Sequence, residues 1–118
     1  MNKILALAFA GLLAGCASTS AVESQQMSHM EPRVTYTTSR SVDEALECIE
    51  TGVRPVTKSG HNVSTAEDGD ARILWVTVLA NPVIAVRVEP VEDGAYVEYR
   101  SRFKAGMANY TTAVLTCR

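Results

Sequence analysis

The rhythm of apolar and polar residues changes several times along the chain, and each change marks an element. Residues 4–13 are apolar with Gly11 the only interruption. A transmembrane helix takes about 20 apolar residues, so this run is too short to span a bilayer. Residues 17–32, ASTSAVESQQMSHMEP, show no apolar period and read as a flexible segment. RVTYTTSR at 33–40 sets Val34, Tyr36 and Thr38 against Thr35 and Thr37, the alternation of a strand. In SVDEALECIETGV, Ser41 and Glu44 form a capping box that starts a helix. Asp43 and Glu44 suit the positive end of its dipole. Val42, Leu46, Ile49 and Val53 make one apolar stripe, with Cys48 at its flank, and Gly52 is expected to close the helix.

Beyond Pro55 the period shortens to two. Residues 60–66 are polar and give only a weak signal, and EDGD at 67–70 is a turn. ARILWVTVLA, 71–80, puts Ile73, Trp75, Thr77 and Leu79 on one face and Leu74, Val76 and Val78 on the other. Asn81-Pro82 is expected to end that strand. VIAVRVEP, 83–90, places Ile84, Val86 and Val88 together, and EDG at 92–94 makes a tight turn. AYVEYRSRF, 95–103, sets Ala95, Val97 and Tyr99 against Tyr96, Glu98, Arg100 and Arg102. These three turn-linked strands predict an antiparallel meander. The last stretch, GMANYTTAVLTCR, has the Thr and Val content of a strand. Met107, Tyr110, Val114 and Cys117 nevertheless share a helical face, and a C-terminal helix is the favoured reading.

The expected fold is therefore α+β: an antiparallel sheet of about four to five strands with two helices packed on one face, in a single domain over 33–118. The 74/76/78 face and the 73/75 face are both apolar. Either the sheet curls and buries its central strand on both sides, or a homodimer or envelope partner covers the spare face.

The start of the chain carries an address. Lys3 precedes the apolar run, giving the charged and hydrophobic regions of a secretory signal over 1–15. Leu13-Ala14-Gly15-Cys16 follows directly. This run resembles the lipobox of bacterial lipoproteins, in which small residues enter a peptidase cleft and the thiol takes a diacylglycerol. The resemblance implies cleavage before Cys16 and acylation of Cys16. Two or more acyl chains anchor a protein stably without spanning the bilayer. Residues 16–32 would then be the lipidated cysteine and its tether, with a coil span of roughly 20–25 Å. Ala17, where Asp would favour retention at the inner membrane, implies the outer membrane, facing the periplasm.

Charge narrows the partners. The full chain has formal charge −2, and without Lys3 ten basic residues face thirteen acidic ones. No basic patch stands out, which argues against nucleic acid. A weakly acidic body also predicts no electrostatic pull toward anionic headgroups.

Of three cysteines, lipidation of Cys16 leaves Cys48 and Cys117. An even pair in an oxidising compartment predicts a disulfide, here linking the first helix to the last. With no C-x-x-C, a redox role is the poorer reading, and zinc lacks ligand spacing. Together, the lipobox, the Ser-rich tether, YTTSRS leading into a cysteine-bearing helix, the meander and the terminal cysteine are similar to small proteobacterial lipoproteins of unknown function. That resemblance supports the fold and disulfide and implies no activity.

Candidate chemistry is sparse. His61 lies near Ser59, Ser64 and Asp68, but without a nucleophile elbow or oxyanion motif. The carboxylates Asp68, Asp70, Glu89, Glu92 and Asp93 flank turns, where they serve turn geometry and solubility. Arg100 and Arg102 share a strand face near Glu98 and are the candidate ligand-binding pair, for a carboxylate, a phosphate or a peptidoglycan stem. Met27, His29 and Met30 have the ligand types of a copper site, but nothing completes it. No cofactor and no metal is expected. The sequence points to a non-enzymatic, lipid-anchored binding or accessory module of the cell envelope. The alternative is a binder of a small molecule or cell-wall fragment.

Overall fold

The computed structural model describes residues 29–104 and 106–118. Its elements are β1 (Glu31–Thr38), α1 (Val42–Val53), β2 (His61–Asp68), β3 (Ala71–Val78), β4 (Asn81–Val91), β5 (Gly94–Ser101) and α2 (Ala108–Leu115), with a 3-10 turn over Arg54–Val56. The expected signal peptide, Cys16 and most of the tether lie outside the described residues.

The five strands form one antiparallel sheet in the order β1-β5-β4-β3-β2. The last four are a meander. The first strand closes the far edge along β5, and α1 carries the chain from that edge to the other. The α+β expectation holds at this level. β2, weak in the sequence, is a full edge strand. Its alternate positions are exposed, so it lacks the apolar run that marks an interior strand. β1, the other edge, begins at Glu31, two residues earlier than expected. Pro32 is tolerated there because an edge strand can leave one side of its ladder unpaired.

One face of the sheet and both helices share a core. Leu46, Ile49 and Val53 of α1 and Tyr110 and Val114 of α2 meet Leu74, Val76, Val86, Val88, Val97 and Tyr99. Met107, Tyr110, Val114 and Cys117, the four residues of the helical reading, are all buried. α1 starts where the capping box puts it. The Glu44 N–H donates to Ser41 Oγ at 3.2 Å, and the Ser41 hydroxyl also reaches Glu44 Oε1. On the opposite face a smaller cluster joins Ile73, Trp75 and Ala85 to Met30. Ile73 and Trp75 are 2% and 8% exposed, so β3 is buried on both sides. Met30, which the sequence places in a flexible segment, is thus part of the folded domain.

Two glycines bear on the fold in different ways. Gly52 does not end α1, which runs on to Val53. It is the point of closest helix approach instead: a Cβ there would stand 3.3 Å from Ala113 Cβ. Gly94 lies where β5 passes the end of β1, and a Cβ would fall 1.9 Å from the Thr38 carbonyl oxygen, so only glycine fits.

The β3–β4 hairpin also departs from expectation. The turn is Leu79-Ala80, and Asn81-Pro82 opens β4 rather than ending β3. Pro82 fits because a bulge follows it: Val76 pairs with Ile84 and Thr77 with Pro82, leaving Val83 as the extra residue. Leu79 and Ala80 have φ of 50° and 66°. Positive φ at both central residues is the type I′ signature, normally filled by Asn-Gly because other L-residues are strained there. The double variant Leu79→Asn/Ala80→Gly is therefore expected to raise stability by about 1–2 kcal/mol in urea denaturation.

Candidate functional site

The bridge is the centre of the helix layer. Cys48 lies on the middle of α1, and Cys117 follows α2 by two residues. Their sulfurs are bonded, with Cα atoms 5.9 Å apart. Beside the bridge the two helices leave a groove of about 410 Å³, walled by Cys48, Thr51, Gly52, Thr112, Ala113 and Thr116 among others. It exists because the facing side chains are small. The Thr112 and Thr116 hydroxyls donate to the carbonyls one turn back, Ala108 and Thr112. Their donors are thus spent within the helix, whereas the Thr51 hydroxyl and the Asn109 amide of the same lining carry donors as well as acceptors. The groove therefore offers a mainly apolar floor with a mixed polar rim, which suits a small apolar group with one or two polar atoms. Its sequence signal is the pairing of Gly52 with a Thr- and Ala-rich helix, which carries no His, Cys, Asp or Glu.

Tyrosines fix the underside of α2. The Tyr36 hydroxyl donates to the Val114 carbonyl at 2.6 Å, tying β1 to α2. At the start of α2, the Lys58 N–H donates to the Tyr110 oxygen at 3.2 Å. The Tyr110 hydroxyl lies 3.0 Å from His61 Nδ1. Tyr99 is different. It is fully buried, and its hydroxyl finds no hydrogen-bond partner among the described residues. The nearby Thr111 hydroxyl donates to Met107 O instead. Burial pushes the Tyr99 phenol above its ordinary range, partly offset by the charge of Arg33. Burial likewise raises Tyr36, against the opposing charges of Arg118 and Arg40.

The remaining candidates are kept apart. On the face away from the helices, Arg100 pairs with Glu98 and donates to the Met30 carbonyl at 3.1 Å. Its charge and two of its donors are thereby committed. Arg102 lies past the end of β5 and is exposed, so the two arginines do not converge on one site. His61 points to the helix side with Val63, whereas Ala66 and Asp68, an odd number of residues away, face the other side. Ser64 shares their parity, and Asp68 is paired with Arg87 at 2.5 Å. The sheet thus separates His61 from both Ser64 and Asp68. Met30 is buried against Ile73, Trp75 and Ala85 while His29 is exposed, so the methionine–histidine ligand set is divided as well. Met27 lies outside the described residues. Among the described residues, no three His, Cys, Asp or Glu side chains gather as metal ligands.

The tyrosine geometry predicts opposite results from one chemical change. Tyr36→Phe removes a made hydrogen bond and should cost about 1 kcal/mol. Tyr99→Phe removes a buried hydroxyl without a partner and should be neutral or stabilising by up to about 1 kcal/mol. A phenol raised by folding keeps its proton more tightly in the native state, so its contribution is present below about pH 10 and lost as pH rises further. Tyr99→Phe should therefore also flatten the loss of stability above about pH 10. Denaturation of both variants across pH checks all three outcomes.

Compared with protein-family models, curated proteins and solved structures, the chain matches none.

Proposed function

We propose that the chain is a lipid-anchored lipoprotein of the outer membrane, facing the periplasm and working as a non-enzymatic binding or accessory module. The observation that carries this reading is the use of the cysteines. Cys48 and Cys117 take each other in a bond that belongs to an oxidising compartment. That leaves Cys16, directly behind Leu13-Ala14-Gly15, as the third thiol and the one available for acylation. The groove beside the bridge supports a binding role. Its walls come from two helices locked by the disulfide and by the Tyr36 contact, so it is held ready rather than formed on demand. Commitment of Arg100, His61 and Asp68 to partners within the fold supports a module without a catalytic centre.

The groove also supports a second reading, a binder of a small molecule or cell-wall fragment, since polar groups of Thr51, Asn109, Thr112 and Thr116 rim its apolar floor. Crosslinking in intact cells separates the two. A photoreactive residue at Thr112 should capture one stoichiometric envelope protein if the chain is an accessory module, and none if the groove takes a small ligand. The anchor has its own test. Feeding cells an alkyne fatty acid should label the wild-type chain and leave Cys16→Ser unlabelled in the soluble fraction. Equal labelling of both would overturn the lipoprotein reading.

A further inference from the structure

The fold sorts charge in a way that the net value hides. At one end of the sheet lie the start of α1 and the β2–β3 and β4–β5 turns. Asp43, Glu67, Asp70, Glu92 and Asp93 gather there against Arg40 and Arg72. At the other end lie the start of β1, the β3–β4 turn, the end of β5 and the segment leading into α2. The register fixes this grouping. Glu31 and Ile84 both pair with Ser101, the Arg102 N–H donates to Val83 O, and Val78 pairs with both His61 and Asn81. Lys58, Arg102 and Lys104 belong to this end, and no described carboxylate pairs with them. Lys58 Nζ reaches only a carbonyl, Gly106 O at 3.0 Å. Among the described residues, Glu31 at this end is already paired with Arg33.

Two large apolar side chains stand in the open at the same end. Leu79 is 87% exposed at the tip of the hairpin, and Phe103 is 51% exposed beside Arg102 and Lys104. Leu79 holds its place in a backbone conformation that favours Asn or Gly. A strained backbone that holds an exposed apolar side chain at a hairpin tip gives a reason to look for a contact outside the fold.

We infer that this end of the sheet is a docking face for an anionic lipid bilayer. Leu79 and Phe103 enter the headgroup boundary, and Lys58, Arg102 and Lys104 meet phosphate groups. The acidic end is turned away by the same field, so charge sets orientation as well as contact. The inference rests on the lipid anchor proposed above, which would hold the domain within reach of the surface. It turns a loosely tethered domain into one that presents the α1–α2 groove in a fixed direction.

The test uses the full lipidated chain reconstituted in vesicles of phosphatidylcholine with one-third phosphatidylglycerol, and in phosphatidylcholine alone. An environment-sensitive fluorophore is placed on Asn81→Cys, at the docking end, or on Asp93→Cys, at the acidic end, with the native disulfide kept oxidised. In anionic vesicles the label at 81 should shift to the blue and resist an aqueous quencher, while the label at 93 stays in water. Arg102→Glu/Lys104→Glu should lower the docked-to-free ratio by more than about tenfold. Leu79→Asn/Ala80→Gly, the variant expected to be more stable, should also lose docking, which separates loss of contact from loss of fold. Chain that floats with the vesicles while position 81 is quenched as fully as position 93 would overturn the docking and leave the anchor standing. Chain that does not float would overturn the anchor and the docking with it.

Discussion

An eight-residue helix does not hold itself together in water, and α2 is one. It has no side-chain cap at its start, and no charged residue in its first or last turn supports its dipole. What keeps it folded comes from outside: the bond from Cys117 to Cys48, the Tyr36 hydroxyl on the Val114 carbonyl, and the burial of Tyr110 and Val114. The rest of the helix layer depends on that attachment. The groove has its second wall only while α2 lies against Gly52 and Cys48. The Tyr110–His61–Lys58 contacts join α2 to the entry of β2 in the same way. The disulfide closes 69 residues, which the chain-entropy model values at about 4 kcal/mol. For a domain of this size, with a thin core, that is a large share of the whole.

The sheet has its own logic. Its edges are polar strands, its central strands are apolar on the helix side, and β3 alone carries large apolar residues on both faces. The reverse face is otherwise a lattice of ion pairs, Arg87 with Asp68 and Glu89, and Arg100 with Glu98. These pairs are half-buried, and they leave the charges of the face satisfied within the fold. What is left unsatisfied is at the ends, where strands hand over to turns. One end collects carboxylates, and the other collects cations with Leu79 and Phe103. A net charge near zero thus conceals a polarity along the strands.

Much of this was legible in the sequence where burial is one-sided and periodic. The α1 stripe and the Met107, Tyr110, Val114 and Cys117 face carry the helical period because each helix buries one side. The Ser41–Glu44 cap is a local event and reads locally. β2 was faint because an edge strand half in solvent looks like a loop. The Leu79-Ala80 turn was hidden because nothing in those residue types favours positive φ, so the Pro82 signal misplaced the break. Gly52 has the look of a helix terminator because its reason, the approach of Ala113, lies 61 residues later. Arg100 and Arg102 share a strand face by parity, but the strand ends between them, and only the register shows it. The charge polarity is likewise invisible until strands that are distant in sequence are laid side by side.

The dependence of the helix layer on the bridge can be read residue by residue. Amide hydrogen exchange would be followed in the oxidised protein and after reduction of Cys48–Cys117 under otherwise identical conditions. The amides of α2 should lose most of their protection on reduction while the β3–β4–β5 ladder keeps its own. Equal protection of α2 before and after reduction would show that packing alone holds the helix, and that the bridge is not what the layer depends on.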